Sequence, residues 1–265
     1  MADLTRITSL QNPLVKHARA LDRRKDRKES GEFLAEGAKV IATARDKGWR
    51  PKTLFVADSE GKTGIVLEVL EWARGAGATC VSVNDKIAEA LSARDNPQSL
   101  IGVFAQRWAT PPASPTQTWV ALEEVRDPGN LGTIIRTVDA AGGGGVILVG
   151  TCCDPFGREA IRASMGSIFS VGVAAMDRAQ FLNWRRGWTG DVVATHLKAR
   201  DDFRTSYKSP VLLLMGSEGP GLSDDMTQAA TRLVKIPMAA GGADSLNLAV
   251  ATGLMLYEVG RPTLA

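Results

Sequence analysis

The sequence predicts an α/β protein in which a largely parallel sheet, with helices on both faces, follows a smaller N-terminal α/β domain. Short apolar stretches alternate with helix-like stretches along most of the 265 residues. The stretch Val211–Met215 is apolar without alternation, which is typical of a strand that is covered on both faces. The proline-rich stretch between Trp108 and Thr118 can continue neither a strand nor a helix, so it indicates a linker.

These observations divide the chain into three parts. Residues 1–107 are predicted to form the smaller domain, residues 108–117 the linker, and residues 118–265 the larger domain. Each predicted domain has an ordinary size for a unit with its own core.

In the first domain, Asn12 and Pro13 predict the start of a helix that carries a basic run up to Gly31. Strands and helices then alternate. The further predicted elements are strand 32–35, helix 38–47, strand 53–57, helix 64–74, strand 79–83, a short helix ending at 91, and strand 99–106.

The second domain repeats this alternation, and its binding loops are expected at the carboxyl ends of the parallel strands. The predicted strands are 119–124, 145–149, 168–173, 191–195, 211–215 and 232–237. The predicted helices are 131–141, 157–164, 178–186, 223–230 and 246–259.

The composition excludes several classes of protein. With 44% hydrophobic and 23% charged residues, the chain is expected to be globular rather than disordered. No stretch is apolar over the length of a membrane span, and the N-terminus lacks the apolar core of a signal peptide, so we expect a cytoplasmic protein without membrane contact. The three cysteines and two histidines show no metal-ligand spacing; we expect no metal site and interpret the cysteines as reduced.

Positive charge is concentrated near the N-terminus. Residues 1–107 hold 18 basic and 14 acidic residues, whereas the rest of the chain holds 14 and 15. The excess lies in the run A-R-A-L-D-R-R-K-D-R-K. Such a run is usually a solvated helix face, and the alternative is contact with RNA phosphates. The candidates for RNA binding are Arg23, Arg24, Lys25 and Arg27.

The loop D-P-G-N-L-G-T-I-I-R, after the first strand of the larger domain, is a candidate anion site. Asn130 is predicted to cap the following helix, and Arg136 lies off the apolar stripe of that helix. A guanidinium near a helix N-terminus can bind a phosphate or carboxylate. The alternative is an ordinary solvated arginine.

Two further glycine-containing loops follow later strands. M-G-S-E-G-P-G-L-S carries Glu218, which either contacts a ligand or is the exposed residue of a tight turn. In the third loop, Ser245 is predicted to cap a buried helix and Asn247 to lie in its first turn. The three loops offer neither a strong nucleophile nor a histidine base, which favours transfer between two bound substrates.

Together, the three loops resemble the motifs of the SpoU (TrmH) family of RNA ribose 2′-O-methyltransferases, within the SPOUT class of knotted enzymes. The motifs are present as P-G-N-L-G-T-I-I-R, as L-L-L-M-G-S-E-G-P-G-L-S, and as I-P-M followed by S-L-N-L-A-V-A. Their order and separation fit the family over residues 118–265. More loosely, E-F-L-A-E-G-A-K-V and P-Q-S-L-I-G-V-F resemble the family's substrate-binding domain, which is similar to small ribosomal proteins.

The resemblance implies S-adenosylmethionine as cofactor, bound in a deep trefoil knot, and a homodimer through the C-terminal domain, where Ala249 and Gly253 would allow close approach. It assigns catalytic positions to Asn130, Arg136, Glu218, Ser245 and Asn247. It assigns the cofactor to Gly216, Ile236 and Leu246, with Met215, Met238, His196 and Leu197 adjoining.

The activity that the resemblance implies is methylation of a ribose 2′-hydroxyl, with 23S-type ribosomal RNA as the expected target. Two alternatives stay open: a transfer RNA ribose 2′-O-methyltransferase, and a non-catalytic RNA-binding protein of the same fold. A nucleotide-dependent oxidoreductase is disfavoured because G-N-L-G lacks the G-x-G-x-x-G register.

Overall fold

The computed structural model describes residues 4–58, 64–93, 98, 100–197 and 199–264. Contacts within the chain divide it into two units. The first unit comprises Met1–Arg107 with Phe156–Ser170, and the second comprises Trp108–Pro155 with Val171–Ala265. Ser99, the predicted start of one strand, lies outside the described residues.

The elements in the described part of the chain alternate much as the sequence predicts. The strands are β1 Thr5–Ile7, β2 Glu32–Glu36, β3 Pro51–Ala57, β4 Thr79–Val83, β5 Leu100–Ala105, β6 Trp119–Glu123, β7 Gly145–Val149, β8 Gly172–Met176, β9 Val192–Thr195, β10 Asp201–Asp202, β11 Leu212–Met215 and β12 Arg232–Lys235. The helices are α1 Pro13–Ala20, α2 Arg24–Ser30, α3 Ala38–Asp46, α4 Ile65–Gly75, α5 Asp85–Ser92, α6 Pro128–Ala140, α7 Arg158–Ser164, α8 Arg178–Arg185, α9 Asp224–Ala229 and α10 Leu248–Gly260.

The first unit is built on a mixed sheet in the order β1-β4-β3-β5-β2. β4 pairs in parallel with β1 and β3, whereas β5 runs antiparallel to β2 and β3. Apolar residues of α1 and α5 pack on this sheet in a common core that includes Val15, Ile87 and Leu91. This unit therefore has a core of its own.

The predicted single helix from Pro13 to Gly31 is wrong, because the structure has two helices separated at residues 21–23. Leu21 is buried at the break. The guanidinium of Arg27 donates from Nη1 to the carbonyl oxygens of Leu21 and Asp22, and each N–O distance is 2.8 Å. These carbonyls lie where a continuous helix would use them in its own ladder, so the side chain of Arg27 replaces backbone donors.

The segment Phe156–Ser170, which the sequence placed in the larger domain, packs within the first unit. Its Phe156 and Phe169 rings lie 5.0 and 6.0 Å from the ring of Phe33. Arg158 donates to Asp22 over 2.7 Å, and Arg162 donates to Glu36 and to the carbonyl of Ser92. Aromatic packing and ion pairs together therefore fix this segment.

The predicted strand 168–173 is also wrong at its start. Residues Ser167–Phe169 form a 3₁₀ turn, and the strand β8 begins at Gly172. Ile168 and Phe169 are buried, and the carbonyl of Phe169 accepts from the indole N–H of Trp49 over 2.9 Å. The apolar letters that suggested a strand therefore belong to a turn in the core of the first unit.

The second unit contains a seven-stranded sheet in the described residues, in the order β10-β12-β9-β11-β6-β7-β8, and each of its paired neighbours is parallel. Val211 and the strand β11 are at most 2% exposed, which confirms a strand covered on both faces. The loops after β6, β9, β11 and β12 consequently emerge at one edge of the sheet. Among the described residues, every helix is too short or too polar to cross a membrane.

Candidate active site

A cavity of about 440 Å³ lies at the carboxyl ends of β9, β11 and β12. Its walls come from the residues that follow these strands and from the start of α10. This volume is in the range of cavities that bind small organic molecules. The residues that the sequence assigned to the cofactor all line it: Met215, Gly216, His196, Leu197, Ile236, Met238 and Leu246.

Gly216 allows the loop after β11 to fold back on itself. A Cβ atom at this position would lie 2.1 Å from the carbonyl carbon of Gly221 and 2.2 Å from the nitrogen of Leu222. The Gly221 N–H donates to the carbonyl of Ser217 over 3.1 Å and closes the turn. Since these contacts are backbone to backbone, a side chain at residue 216 would force the two halves of the loop apart.

Three polar side chains from three separate segments of the chain are joined at the edge of this cavity. Asn130 Nδ2 donates to Glu218 Oε1 over 2.6 Å. Asn247 Nδ2 lies 2.8 Å from Asn130 Oδ1 and 3.3 Å from Glu218 Oε1. Glu218 and Asn247 also line the cavity. The parallel sheet thus brings together residues that are 117 positions apart in the sequence.

A second cavity, of about 360 Å³, adjoins the first. It is lined by the loop after β6, the start of α6 and the loop after β11. Ser217, Glu218 and Leu248 line both cavities, so they form a shared wall.

Two family models match this chain. The SpoU rRNA Methylase family matches residues 117–257, more than half of the 265 residues. The chain belongs to the SpoU rRNA methylase family. An MRM3-like substrate binding domain matches residues 12–102. The family predicted from the three loop motifs is therefore confirmed.

Proteins of similar sequence or structure match this SpoU-family chain over almost its whole length. The crystal structure of an AdoMet-bound rRNA methyltransferase from Sinorhizobium meliloti is 46% identical with a TM-score of 0.90, over 98% of this chain and 99% of that one. The 23S rRNA (uridine(2479)-2′-O)-methyltransferase of Streptomyces viridochromogenes is 30% identical over 98% of this chain and 93% of its own length. The 23S rRNA (guanosine(2553)-2′-O)-methyltransferase RlmP of Bacillus subtilis is 27% identical over 97% and 99%. The predicted fold class, a parallel sheet with flanking helices and a smaller N-terminal α/β domain, is confirmed.

Asn130, in the first SpoU motif, is not the helix cap that the sequence predicted. The cap of α6 is Asp127, whose Oδ1 accepts from the backbone N–H of Asn130 over 2.5 Å. Pro128 follows as the first helical residue, where its missing N–H costs nothing. Because Asp127 satisfies the helix end, the side chain of Asn130 is free to bind Glu218.

Ser245, in the third motif, is likewise not a cap. The helix α10 begins at Leu248 and is capped by Asn247, whose Oδ1 accepts from the N–H groups of Ala249 and Val250 over 2.9 and 3.3 Å. Ser245 is exposed and lines the first cavity. Ser245 therefore lies at the predicted site, but it lines the cavity and does not cap the helix.

Arg136 is the catalytic candidate that the structure leaves apart from the other four. It lies on the exposed face of α6 and is not among the residues that line either cavity. Asn130, Glu218 and Asn247 are in direct contact, and Ser245 lines the first cavity together with Glu218 and Asn247.

Glu123, the last residue of β6, is a candidate that the sequence analysis missed. It is 3% exposed, and its carboxylate accepts from the backbone N–H and the hydroxyl of Ser223, each over 2.7 Å. It also accepts from Arg178 Nε over 2.9 Å. Since Ser223 ends the second SpoU motif and caps α9, Glu123 fixes the end of the loop that carries Gly216 and Glu218. An acidic residue closing the apolar stretch W-V-A-L-E was the available signal.

The thiols of the second unit are unsuited to covalent catalysis. Burial raises the pKa of Cys153 to about 12, and burial also raises the pKa of Cys152. A thiol is a weak nucleophile until it loses its proton. Both thiols therefore stay protonated at neutral pH, in agreement with their interpretation as reduced cysteines.

Three of the four RNA-binding candidates are on the surface of the first unit. Arg23, Arg24 and Lys25 are exposed at the start of α2. Arg27 is 5% exposed, and its Nη1 is bound to the two carbonyl oxygens at the helix break. The assignment of Arg27 to RNA is therefore corrected, since reaching a phosphate would break both hydrogen bonds.

Proposed function

We propose that this protein methylates a ribose 2′-hydroxyl of 23S-type ribosomal RNA, with S-adenosylmethionine as the methyl donor. Membership of the SpoU rRNA methylase family makes it an S-adenosylmethionine-dependent RNA methyltransferase. The single observation that carries the proposal is the cavity at the carboxyl ends of β9, β11 and β12, with Asn130, Glu218 and Asn247 joined at its edge. The names of the Streptomyces and Bacillus relatives support the choice of 23S RNA.

The residues around the first cavity fit this cofactor. Gly216 allows the loop after β11 to fold back beside the cavity, and Met215, Ile236, Met238 and Leu246 give the cavity apolar walls. The bound cofactor supplies a methyl group that is already activated on a sulfonium. The chain therefore has to align a ribose oxygen with that group and help the oxygen to lose its proton, and alignment alone can supply several kcal/mol of the barrier.

We assign Arg136 to an RNA phosphate rather than to proton abstraction. Guanidinium groups remain protonated in proteins, so they are poor bases and good partners for phosphate. Ser245 would orient the acceptor hydroxyl, and Asn247, whose amide donates to Asn130 and Glu218, would hold the carboxylate of Glu218 in place. A single-turnover rate that rises at high pH in both the wild-type protein and Arg136→Ala would exclude Arg136 as the base.

We also propose that the C-terminal loops form the deep trefoil knot of the SPOUT class and that the protein is a homodimer through its second unit. On α10, Val250, Leu254 and Tyr257 are 52%, 41% and 52% exposed at helical spacing, which is typical of a contact surface. Of the two small residues predicted to allow close approach, Ala249 is buried and Gly253 is half-buried, with Thr137 3.6 Å from where its Cβ would lie. Light scattering of Leu254→Glu, which should be monomeric, tests the dimer.

The first unit would bind the RNA, and the protein would act in the cytoplasm where ribosomal RNA is found. Its match to a substrate binding domain and the exposed Arg23, Arg24 and Lys25 support this assignment. Contacts from such residues to phosphates position a protein on RNA without reading its sequence.

Mass-spectrometric mapping of ribose methylation, in cells with and without the gene, tests the proposed function. The expected result is one 2′-O-methyl group missing from 23S ribosomal RNA when the gene is deleted. A methyl group missing only from transfer RNA would support the alternative target. Calorimetry with S-adenosylmethionine separates both from a non-catalytic RNA-binding protein, which would give no binding signal.

A further inference from the structure

The wall shared by the two cavities of the second unit restricts where the acceptor can bind. Ser217, Glu218 and Leu248 face the cofactor cavity on one side and the second cavity on the other. In-line transfer requires the reacting atoms to approach to about 3–3.5 Å. The acceptor oxygen must therefore lie in a space that meets the cofactor cavity, and the second cavity satisfies this condition.

The other lining residues of the second cavity suit a nucleoside better than a phosphate. Its apolar lining residues are Val125, Pro220 and Leu248. Arg126 lines it too, but Arg126 Nη2 donates to Glu124 Oε2 over 2.8 Å, and this guanidinium lowers the pKa of Glu124 and keeps it charged. With Asp127 and Glu218 also in the lining, the charge balance of these residues is negative. A neutral ribose and base can enter this cavity, whereas a phosphate would be repelled.

The cap of α10 determines the direction of the hydrogen bonds among Asn247, Asn130 and Glu218 at the shared wall. Asn247 Oδ1 is occupied by the N–H groups of Ala249 and Val250, so its Nδ2 must face Asn130 and Glu218. Asn130 Oδ1 accepts from that amide, so its own Nδ2 donates to Glu218. The orientation of both amides follows from the helix end and requires no choice between oxygen and nitrogen.

The hydrogen bonds of Glu218 to Asn130 and Asn247 come from uncharged groups. Its Oε1 accepts from two neutral amides, whose donors hold the carboxylate in place at the wall between the cavities. Its residue is exposed, and it lines both cavities. A positioned carboxylate within reach of a hydroxyl is a suitable proton acceptor.

Building on the proposed function, we infer that the second cavity holds the ribose and base of the acceptor nucleotide and that Glu218 accepts the proton of its 2′-hydroxyl. In this step the 2′-oxygen forms a bond to the methyl carbon as the carbon–sulfur bond breaks, and the electron pair of that bond stays on sulfur. The O–H proton passes to the Glu218 carboxylate and from there to water. Arg136 keeps its proposed place at the phosphate.

Single-turnover methylation with Glu218→Gln tests the role of the carboxylate. The measurement uses an RNA that the wild-type protein methylates, excess enzyme and saturating S-adenosylmethionine, so that weaker cofactor binding is not read as slower chemistry. We expect the rate to fall at least about 100-fold, within the usual range for general base catalysis, while RNA and cofactor affinities change less than about fivefold. The matched control Asp225→Asn removes an exposed carboxylate in the next helix and should keep the wild-type rate. A Glu218→Gln rate within about threefold of the wild-type rate would overturn the inference.

Chemical rescue separates proton acceptance from a structural role of Glu218. In Glu218→Ala, sodium formate should raise the single-turnover rate at least about tenfold over sodium chloride at equal ionic strength, because the small carboxylate can replace the missing one. Asn130→Ala, which lacks a donor to Glu218 but keeps the carboxylate, should not respond to formate. No response of Glu218→Ala to formate would exclude proton acceptance at this position.

A pair of variants at Arg126 tests the occupant of the second cavity. Arg126→Ala leaves the cavity open, and Arg126→Trp adds a large side chain to its lining. If the cavity holds the nucleoside, Arg126→Trp should lose at least about 100-fold in rate at unchanged cofactor affinity, and Arg126→Ala should lose less than about tenfold. Equal losses in both variants would indicate a phosphate contact of Arg126 and overturn the nucleoside assignment. Should the wild-type protein methylate no RNA, the proposed function itself would fail before these comparisons.

Discussion

The carboxylates of the first unit and the carboxylate at the active-site edge of the second unit have different kinds of partner. In the first unit, Glu32 accepts from Lys52 and lies 2.5 Å from His17 Nε2, and Glu36 accepts from Arg162. These carboxylates are largely buried, and their charges are compensated by basic groups.

In the second unit, one glutamate has a basic partner and another has neutral amide partners. Buried Glu123 has the guanidinium of Arg178 as a partner, whereas the hydrogen bonds of Glu218 come from the neutral amides of Asn130 and Asn247. A basic partner holds a carboxylate in place and compensates its negative charge. Amide donors also hold a carboxylate in place, but they do not compensate its charge, which can then interact with a substrate. If Glu218 is the proton acceptor that we propose, the kind of partner distinguishes it from the structural carboxylates Glu32, Glu36 and Glu123.

The largest effect on stability is expected at Glu123. Glu123→Ala removes the acceptor of Ser223 and Arg178 in a buried place, and we expect the free energy of unfolding to fall by about 3 kcal/mol. Urea denaturation measures this loss, and cofactor affinity should fall with it because the loop after β11 is no longer fixed. Asp225→Ala, an exposed control, should change stability by less than about 0.5 kcal/mol. Equal stability of the two variants would contradict a structural role for Glu123.

A smaller effect on stability is expected at Arg27. Comparing Arg27 with its exposed basic neighbours tests which of these residues stabilise the fold and which bind RNA. Arg27→Ala removes two hydrogen bonds to buried or half-buried carbonyls, so it should lower the free energy of unfolding by about 2 kcal/mol. The triple variant Arg23→Gln, Arg24→Gln, Lys25→Gln should leave stability within about 0.5 kcal/mol. Only the triple variant should weaken RNA binding and flatten its dependence on salt, since it removes phosphate contacts. RNA affinity that is unchanged in the triple variant would refute the placement of RNA on α2.

The smallest effect is expected at Glu32, where the ion pair is partly open to water. Burial raises the pKa of Glu32. The hydrogen bonds from Lys52 and His17 lower this pKa by a larger amount together, so the net pKa of Glu32 is below its ordinary value. A lowered carboxyl pKa stabilises the folded state above the unfolded pKa, and that stability is lost as the pH falls through the folded pKa. Glu32→Gln should therefore cost about 1 kcal/mol at pH 7 and less near pH 3. A difference in unfolding free energy that is the same at both pH values would contradict this coupling, and Glu71→Gln is the exposed control.

The elements of the fold could be predicted from the sequence because burial leaves a local pattern. Apolar Val211–Met215 indicated a fully covered strand, and the glycine-containing loops that follow β6, β11 and β12 indicated where the cavity residues would meet. All seven residues that the family resemblance assigned to the cofactor line one cavity. The family resemblance rested on the same three loops, and the family is confirmed.

The caps of α6 and α10 could not be assigned correctly from the sequence alone. Ser245 and Asn247 are both good caps by residue type, and so are Asp127 and Asn130. In each pair the residue next to the helix caps it, and the other residue is left free. Asn130 uses that freedom to bind Glu218, a partner that is 88 positions away and that no local pattern identifies.

The sequence by itself determined the alternation of strands and helices, the family, and the loops that form the site. Only the tertiary structure decided which polar atoms meet: Arg27 at the break between α1 and α2, Arg162 on Glu36, and Glu123 on Ser223. The physical reason is that burial is a property of each residue and leaves a periodic pattern in the sequence. A hydrogen bond or ion pair depends on two groups and their geometry, and the second group can lie anywhere in the chain.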